Sequence, residues 1–320
     1  MKIVVITGCL GLIGVHVTKL ALRKRWKVYG IDKCTYASNI NVLNEFKKDP
    51  NFTFLKEDIS KIRELPDCDY VINIAAESHV GNSIVASSEF INSNITAVQN
   101  LLDLIRMKQE NVSRRPIFFH FSTDEVYGDI TEGEHTELCT LNPSNPYSAS
   151  KAAADMLISG WSRTYGLEYI ILRPTNNYGK YQYPEKLIPL TVKMLQREHK
   201  IRLHDLGEPV RNWLHAGDTA RAVAAIIESG DVNQIYNVAG GFEQKNIDTV
   251  SKIIKCYKGL PLDAEINIEQ FADFSYSREG QDVRYALNDD KLKKIGWKTQ
   301  LNFDDEIRSI VKFYKDNFKW

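Results

Sequence analysis

The feature that most constrains this 320-residue chain lies at its very start. A short apolar run, residues 3–6, leads into Thr7-Gly8-Cys9-Leu10-Gly11-Leu12-Ile13-Gly14, and apolar residues at helical spacing continue through residue 25. Glycines between a strand and a helix let the backbone turn tightly and approach a partner more closely than any Cβ allows. The start of a helix offers unpaired N–H groups and the positive end of its dipole, so a turn of this kind suits a phosphate. A strand that feeds such a turn belongs to a parallel sheet covered on both faces, where strands read as unbroken apolar runs.

The rest of the first half agrees. Further apolar runs occupy residues 27–31, 52–55, 70–74, 117–121 and 169–172. Helical patterns fall between them, notably over residues 84–108 and over a stretch opened by Asn145-Pro146-Tyr147 and running to residue 165. Asn145 suits an N-cap and Pro146 the first helical position. Strands alternating with helices predict a doubly wound parallel α/β sheet of Rossmann type. After residue 174 prolines cluster at Pro174, Pro184, Pro189 and Pro209 and the segments shorten. We therefore expect a nucleotide-binding domain over residues 1–174 and a smaller mixed α/β substrate lobe over 175–320, with the chain re-entering the first domain.

Charge narrows the range of partners. Forty-one Lys and Arg balance 41 Asp and Glu. No long-range positive field exists to hold a nucleic acid or an anionic membrane, so an anion must be held by a local site. The apolar runs near the start are too short to span a bilayer or form a signal-peptide core. Five scattered cysteines without a CxxC pair suggest reduced thiols and a cytoplasmic setting. The seven histidines show no ligand spacing, and no metal site is expected.

The second strand ends in Asp32, 18 residues beyond Gly14. A carboxylate there accepts hydrogen bonds from an adenosine ribose and repels a 2′-phosphate, which favours NAD over NADP. Gly8, Gly11, Leu12, Ile13 and Gly14 of the turn, Asp32, Asp58 with Ile59 after the third strand, and Ala75 and Ala76 after the fourth are the expected cofactor contacts. Tyr147 and Lys151, four residues apart on the Pro146 helix, share a helix face. An ammonium beside the phenol favours phenolate and makes tyrosine a base near neutral pH. The strand over 117–121 runs directly into Ser122-Thr123-Asp124-Glu125-Val126-Tyr127-Gly128, which places two adjacent carboxyls where ligands of such sheets bind.

The G-x-x-G-x-x-G spacing with Tyr-x-x-x-Lys is similar to the extended short-chain dehydrogenase/reductases. Within them, the chain resembles the nucleotide-diphosphate-hexose 4,6-dehydratases of the dTDP-glucose and UDP-glucose type. The resemblance runs from Gly8 to about Arg284 and includes Ala75-Ala76-Glu77-Ser78-His79-Val80, the Thr-Asp-Glu triplet, Asn176-Asn177-Tyr178, Pro184-Glu185-Lys186-Leu187-Ile188-Pro189 and Arg211-Asn212-Trp213-Leu214. It implies that Tyr147 takes the 4-hydroxyl proton as the C4 hydrogen passes to NAD, with Lys151 orienting the cofactor and Thr123 holding the 4-oxygen. It implies that Glu125 removes the C5 proton and that a protonated Asp124 assists loss of the 6-hydroxyl. Two carboxyls in different protonation states suit that division of labour.

The same resemblance places Ser83, Thr123, Asn177, Lys186, Leu187, Arg211, Asn246 and Arg278 around a nucleotide-diphosphate hexose, and pairs two long helices across a dyad into a homodimeric four-helix bundle. Where glucose enzymes carry His-Val-Asp, this chain has His79-Val80-Gly81, and the span 129–142 is shorter. These departures open an alternative hexose, N-acetylglucosamine on UDP, with possible C5 inversion. A C4 epimerase shares the redox step but has no use for the acid pair, and a non-catalytic NAD-binding scaffold has no use for Tyr147, Lys151, Asp124 and Glu125 together.

Overall fold

The computed structural model describes residues 1–108, 115–276 and 282–316, so the predicted substrate residue Arg278 lies outside the described residues. In chain order the strands are β1 (Ile3–Thr7), β2 (Lys27–Ile31), β3 (Phe52–Leu55), β4 (Tyr70–Asn73), β5 (Ile117–Phe121), β6 (Tyr169–Pro174), β7 (Asn176–Tyr178), β8 (Ile201–His204), β9 (Val210–His215), β10 (Gln234–Val238), β11 (Glu243–Lys245) and β12 (Ala272–Tyr276). The helices are α1 (Leu12–Arg23), α2 (Ile40–Phe46), α3 (Val80–Val85), α4 (Ser88–Ile91), α5 (Ala97–Lys108), α6 (Pro146–Tyr165), α7 (Leu187–Gln196), α8 (Ala216–Ser229), α9 (Asn246–Lys258), α10 (Asp290–Lys294) and α11 (Phe303–Asp316).

The main sheet has seven parallel strands in the order β10-β6-β5-β4-β1-β2-β3. Successive strand residues point to opposite faces. Val4, Ile6, Phe119, Ile170 and Leu172 enter one core with α1 and α8. Val5, Val71, Phe118 and Ile171 enter the other with α5 and α6. Both faces are apolar, which is why these strands lack polar alternation. The chain runs outward from β1 through β2 and β3, then returns to β4 on the other side of β1, and a crevice opens at the carboxyl ends of these two strands.

The helix predicted over residues 84–108 is interrupted. Ala86 leaves the helical region (φ −144°, ψ 77°) between α3 and α4, and a π-helical turn, Asn92–Thr96, separates α4 from α5. The cause is local satisfaction of the backbone by side chains. His79 caps α3 by accepting from the Asn82 N–H at 3.1 Å. The extra residue of the π turn rotates Asn94 inward, where it bonds both backbone groups of Glu77 (2.9 and 3.0 Å) and the Ser150 hydroxyl (2.9 Å).

Beyond residue 174 the chain builds a three-stranded sheet, β11-β9-β7, and a pair, β12-β8. Helices α7, α9 and α11 pack on these around Tyr178, Trp213, Phe303 and Tyr314. Between these pieces, α8 packs on α1 and β10 adds the outermost strand to the main sheet beside β6. Among the described residues no helix is long and apolar enough to cross a membrane.

Candidate active site

A cavity of about 330 Å³ follows the crevice from the β1–α1 turn to the start of α7. At its first end Gly8 adopts φ +65° and lies against Ala75, where a Cβ would come within 2.8 Å of the Ala75 backbone. A Cβ on Gly14 would fall 2.0 Å from the Gly8 carbonyl oxygen, so this glycine lets α1 close onto the turn. Gly11, the N-cap, brings no side-chain acceptor to the first helical turn, and Leu12, Ile13 and Gly14 line the cavity. Asp32 anchors the turn from β2. One carboxylate oxygen accepts from the Leu10 N–H (3.0 Å) and the other from the Cys34 N–H and the Ser38 hydroxyl (both 2.8 Å). Asp58, Ile59, Ala75 and Ala76 complete this part of the wall. The Asp58 carboxyl is held below its usual range, against some desolvation, by the N–H and hydroxyl of Ser60. The glycine cradle, the uncapped helix start and the acid at the end of β2 together fit a dinucleotide.

Helix α6 supplies the middle of the cavity. Asn145 caps it by accepting from the Ser148 N–H (3.0 Å), the Ser148 hydroxyl accepts from the Asn145 N–H (3.2 Å), and Pro146 opens the first turn. Tyr147 and Lys151 are buried and both line the cavity. Burial pushes the Tyr147 phenol well up, the charges of Glu125 and Asp124 add to this, and hydrogen bonding with Thr123 opposes it. Burial pushes Lys151 down to about 8, with Asp155 opposing.

The strand β5 delivers the third part. Its apolar run ends at Phe121, and Thr123 caps a single 3₁₀ turn, Asp124–Tyr127. The Thr123 hydroxyl accepts from the Glu125 N–H (3.3 Å) and donates to one Asp124 oxygen (3.1 Å). The other Asp124 oxygen is buried without a partner. Burial first, then the Glu125 carboxylate, raises the Asp124 carboxyl to about 8. Glu125 is half-buried and also raised by burial, while Asn145, Arg211 and Lys186 pull it down. Burial and the neighbouring Glu125 charge thus favour the protonated form of Asp124, which lines the cavity with Tyr147 and Glu125.

The acid-bearing turn is fixed from beneath by charge. Arg173 of β6 donates through Nε and Nη2 to one Asp155 oxygen (3.0 and 2.9 Å), which also accepts from Ser122 (3.0 Å). The same guanidinium donates to the Tyr127 hydroxyl (2.7 Å), which donates to Asn237 of β10 (2.9 Å). The sequence gives Asn145 the role of a helix cap and assigns none to Arg173, Asp155 or His120. Only their burial marks them, because buried charges occur in proteins where they are paired.

The predicted substrate residues divide. Thr123, Asn177 and Lys186 line the cavity. Lys186 donates to the Ser78 carbonyl (2.8 Å), and Asn177 accepts from Thr219 (2.6 Å) and donates to the Thr175 carbonyl (3.0 Å). Arg211 lies over the Tyr285 ring, 5.2 Å from its centroid, and donates to the Val210 and Asp282 carbonyls (2.8 and 3.2 Å). Its charge acts on both acids of the pair. Ser83 stands off the cavity wall, fully buried, donating to the Val80 carbonyl (2.7 Å) and accepting from the Tyr147 N–H (3.2 Å). Leu187 opens α7 and packs into the lobe core, and Asn246 opens α9; neither lines the cavity. Gly81 is also outside the lining, over the His79 ring.

A doubly wound sheet, a glycine turn at its switch point, and a Tyr-x-x-x-Lys helix in the same cavity define an extended short-chain dehydrogenase/reductase. The family model described as GDP-mannose 4,6 dehydratase matches residues 5–310. A probable dTDP-glucose 4,6-dehydratase of Sinorhizobium fredii is 37% identical, the match covering 99% of this chain and 94% of that protein. A trifunctional UDP-glucose 4,6-dehydratase/epimerase/reductase of Arabidopsis thaliana is also 37% identical, with all of this chain matching 48% of that protein. The crystal structure of DesIV, a dTDP-glucose 4,6-dehydratase from Streptomyces venezuelae solved with NAD bound, superposes with a TM-score of 0.90 at 34% identity, covering 98% of this chain and 97% of that one. The chain belongs to the GDP-mannose 4,6 dehydratase family, whose reaction class is NAD-dependent 4,6-dehydration, a hydro-lyase chemistry.

Proposed function

We propose that this chain converts a nucleotide-diphosphate glucose, on dTDP or UDP, to its 4-keto-6-deoxy sugar with NAD as cofactor. The observation that carries this reading is the acid pair. Asp124 is held protonated with one oxygen unpartnered, beside Glu125, in the cavity that holds Tyr147 and Lys151. An epimerase has no use for such a pair.

NAD fits the glycine cradle at Gly8, Gly11 and Gly14, with Leu12 and Ile13 at the phosphates, Asp32 toward the ribose, and Asp58, Ile59, Ala75 and Ala76 along the wall. When bound, it takes up the C4 hydrogen of the sugar and later returns it at C6. Tyr147 accepts the 4-hydroxyl proton, helped by Lys151, while Thr123 holds the 4-oxygen. A ketone at C4 acidifies the C5 hydrogen, and Glu125 removes it as a base. Asp124 gives its proton to the departing 6-hydroxyl, and water leaves. Glu125 then returns a proton to C5. Lys186, Asn177 and Arg211 bracket the sugar diphosphate, since guanidinium and ammonium groups suit phosphate oxygens.

Residues 1–174 form the cofactor domain on this reading and 175–320 the substrate lobe. We also infer a homodimer. Met107 on α5, Met156 and Tyr165 on α6, and beside them Ile84 and Val85 of α3 and Ile91 of α4 leave apolar surface exposed on and next to the two helices that would pair in a four-helix bundle. Light scattering checks it, and a monomer at micromolar concentration sinks it. The free thiols suit a reducing cytoplasm.

The test of function is parallel incubation with dTDP-glucose, UDP-glucose and UDP-N-acetylglucosamine in heavy water, read by mass spectrometry and NMR. Loss of water from a glucose nucleotide with label at C5 supports the reading. Turnover of the acetamido sugar alone overturns the hexose assignment, and C4 inversion without dehydration overturns the reaction.

A further inference from the structure

Asn145 meets two demands with one amide. Its side chain closes the start of α6, and it lies against Glu125. The helix takes the oxygen: Oδ1 accepts from the Ser148 N–H at 3.0 Å. A backbone N–H only donates, so the amide nitrogen must face the other way. There Nδ2 donates to Glu125 Oε2 and to the Ser144 hydroxyl, both at 3.4 Å. The two amide protons thus have one acceptor each.

The second acceptor is oriented from far along the chain, between β12 and α10. The Ser144 hydroxyl donates to Asp282 Oδ2 at 2.8 Å, which turns a lone pair toward Asn145. Tyr285 donates to the same carboxylate oxygen, and the Arg211 guanidinium of β9 lies over its ring, 5.2 Å from the centroid. Arg211 also donates to the Asp282 carbonyl at 3.2 Å. Asn145 and Asp282 are both buried. Asn, Asp and Ser cap helices about equally well. Of the three, only Asn presents two donors on the far side of the cap. Asp presents a second acceptor, and Ser has a single hydroxyl on a shorter arm.

We propose that Asn145 is a positioning residue for Glu125: the helix cap holds its amide with the nitrogen outward, so the start of α6 aims a donor at Glu125 Oε2 and fixes that carboxylate in the cavity wall it shares with Tyr147. The consequence for C5 proton removal rests on the dehydratase reading above; the contact does not. Glu125 is also faced by Asp124 on its own turn, Tyr147 of α6, Arg211 of β9, Lys186 before α7, and Asp282 and Tyr285 between β12 and α10. Burial raises the Glu125 carboxyl and Asp282 adds to the rise, while the Asn145 hydrogen bond opposes it ahead of the charges of Arg211 and Lys186.

The experiment is a pH titration of the full-length protein, without substrate, carrying glutamate labelled at the side-chain carboxyl carbon and observed by NMR. Glu125 is identified by its loss in Glu125→Gln. Asn145→Ser keeps a cap and withdraws the donor, and should raise the Glu125 midpoint by about half a pH unit. Asn145→Asp keeps the cap and the size but turns an acceptor toward Glu125, and should raise it by about one unit or more. An influence that ran through the cap alone would leave Asn145→Ser at the wild-type midpoint. That result, or a midpoint in Asn145→Asp that stays or falls, overturns the proposal. If Asn145→Asp does not fold, Asn145→Ser decides alone. With the nucleotide glucose that the wild type dehydrates, the acidic limb of kcat against pH should move up with the NMR midpoint in each variant. A limb that stays while the midpoint moves removes Asn145 from the reaction. Absence of turnover in the wild type sinks the dehydratase reading instead, and the titration still decides the contact.

Discussion

The two ends of the cavity are built in different ways. The cofactor end is made by backbone: a turn between β1 and α1, glycines where a Cβ would strike the main chain, and an acid whose partners are largely N–H groups. Its glycine turn and acid lie within 25 residues of one another, from Gly8 to Asp32. The acid-pair end is made by side chains. Asp124 and Glu125 come from the end of β5, Tyr147, Lys151 and Asp155 from α6, Arg173 from β6 and Arg211 from β9, and Asp124, Glu125 and Lys151 are tuned by charges around them. A backbone site tolerates changes of side chain but not of Cβ. A side-chain site tolerates changes of volume but not of charge. Substitutions at each end test that contrast.

The largest effect is expected from Glu125→Gln. It keeps the volume and removes the base, so dehydration should fall by ~10²–10⁴-fold while oxidation at C4 survives. Single-turnover absorbance of the reduced cofactor, followed by product analysis, separates the two. Normal dehydration by this variant would remove Glu125 from its role.

Arg173→Met comes next. Methionine fills much of the same space, but Asp155 is left buried and unpaired beneath Ser122, and the Tyr127 hydroxyl loses its donor. Breaking one side of such a pair costs about 3–5 kcal/mol. Denaturant unfolding should show that loss, and dehydration should suffer because the Thr123–Glu125 turn is no longer held. A change within ~1 kcal/mol would mean the acid-pair end does not depend on charge from beneath.

Gly14→Ala probes the other end. One added methyl meets the Gly8 carbonyl, and the chain must shift to admit it. Overpacking of this kind costs about 1–3 kcal/mol. NAD affinity should drop while the pH dependence of the acid pair stays as it was, and calorimetric titration with NAD reads the first quantity directly. Unaltered NAD affinity would break the claim that this end is built by close backbone approach.

The same contrast governs how much could be read in advance. The strands over 27–31, 52–55 and 117–121 were legible to the residue, because a strand buried on both faces writes itself as an apolar run. The Asn145–Pro146 helix start was legible because caps are local. The break at Ala86 and the π turn at Asn94 were not, since they answer to partners such as Glu77 and Ser150 that only the fold brings near. Thr123, Asp124, Glu125, Tyr147 and Lys151 stand out through residue type and spacing and share one cavity wall. Ser83 does not reach that wall, because its hydroxyl serves the first turn of α6. Nothing in a linear reading distinguishes a serine that meets a ligand from one that meets a helix N-terminus. Arg173 and Asp155 escaped for a related reason: a charge inside an apolar run looks like an interruption until its partner is seen.

The last test sharpens the comparison most, because it reads electrostatics without turnover. Burial and Glu125 raise the Asp124 carboxyl from 3.8 to about 8 in the folded state. The folded protein therefore holds a proton that the unfolded chain releases above pH ~4. Its contribution to stability is fully present below the unfolded value and is lost progressively as pH rises toward 8. Asp124→Asn mimics the protonated acid and cannot ionise. The variant should match the wild type near pH 4 and gain on it by about 1.4 kcal/mol per pH unit between about pH 5 and 7, with the slope fading near 8, several degrees in Tm for a chain of this size. Parallel melting curves for the two proteins at pH 5, 6, 7 and 8 would show the gap opening. A gap that stayed constant would mean Asp124 is already ionised in the folded enzyme, and the acid pair would then consist of two bases with nothing to protonate the leaving hydroxyl.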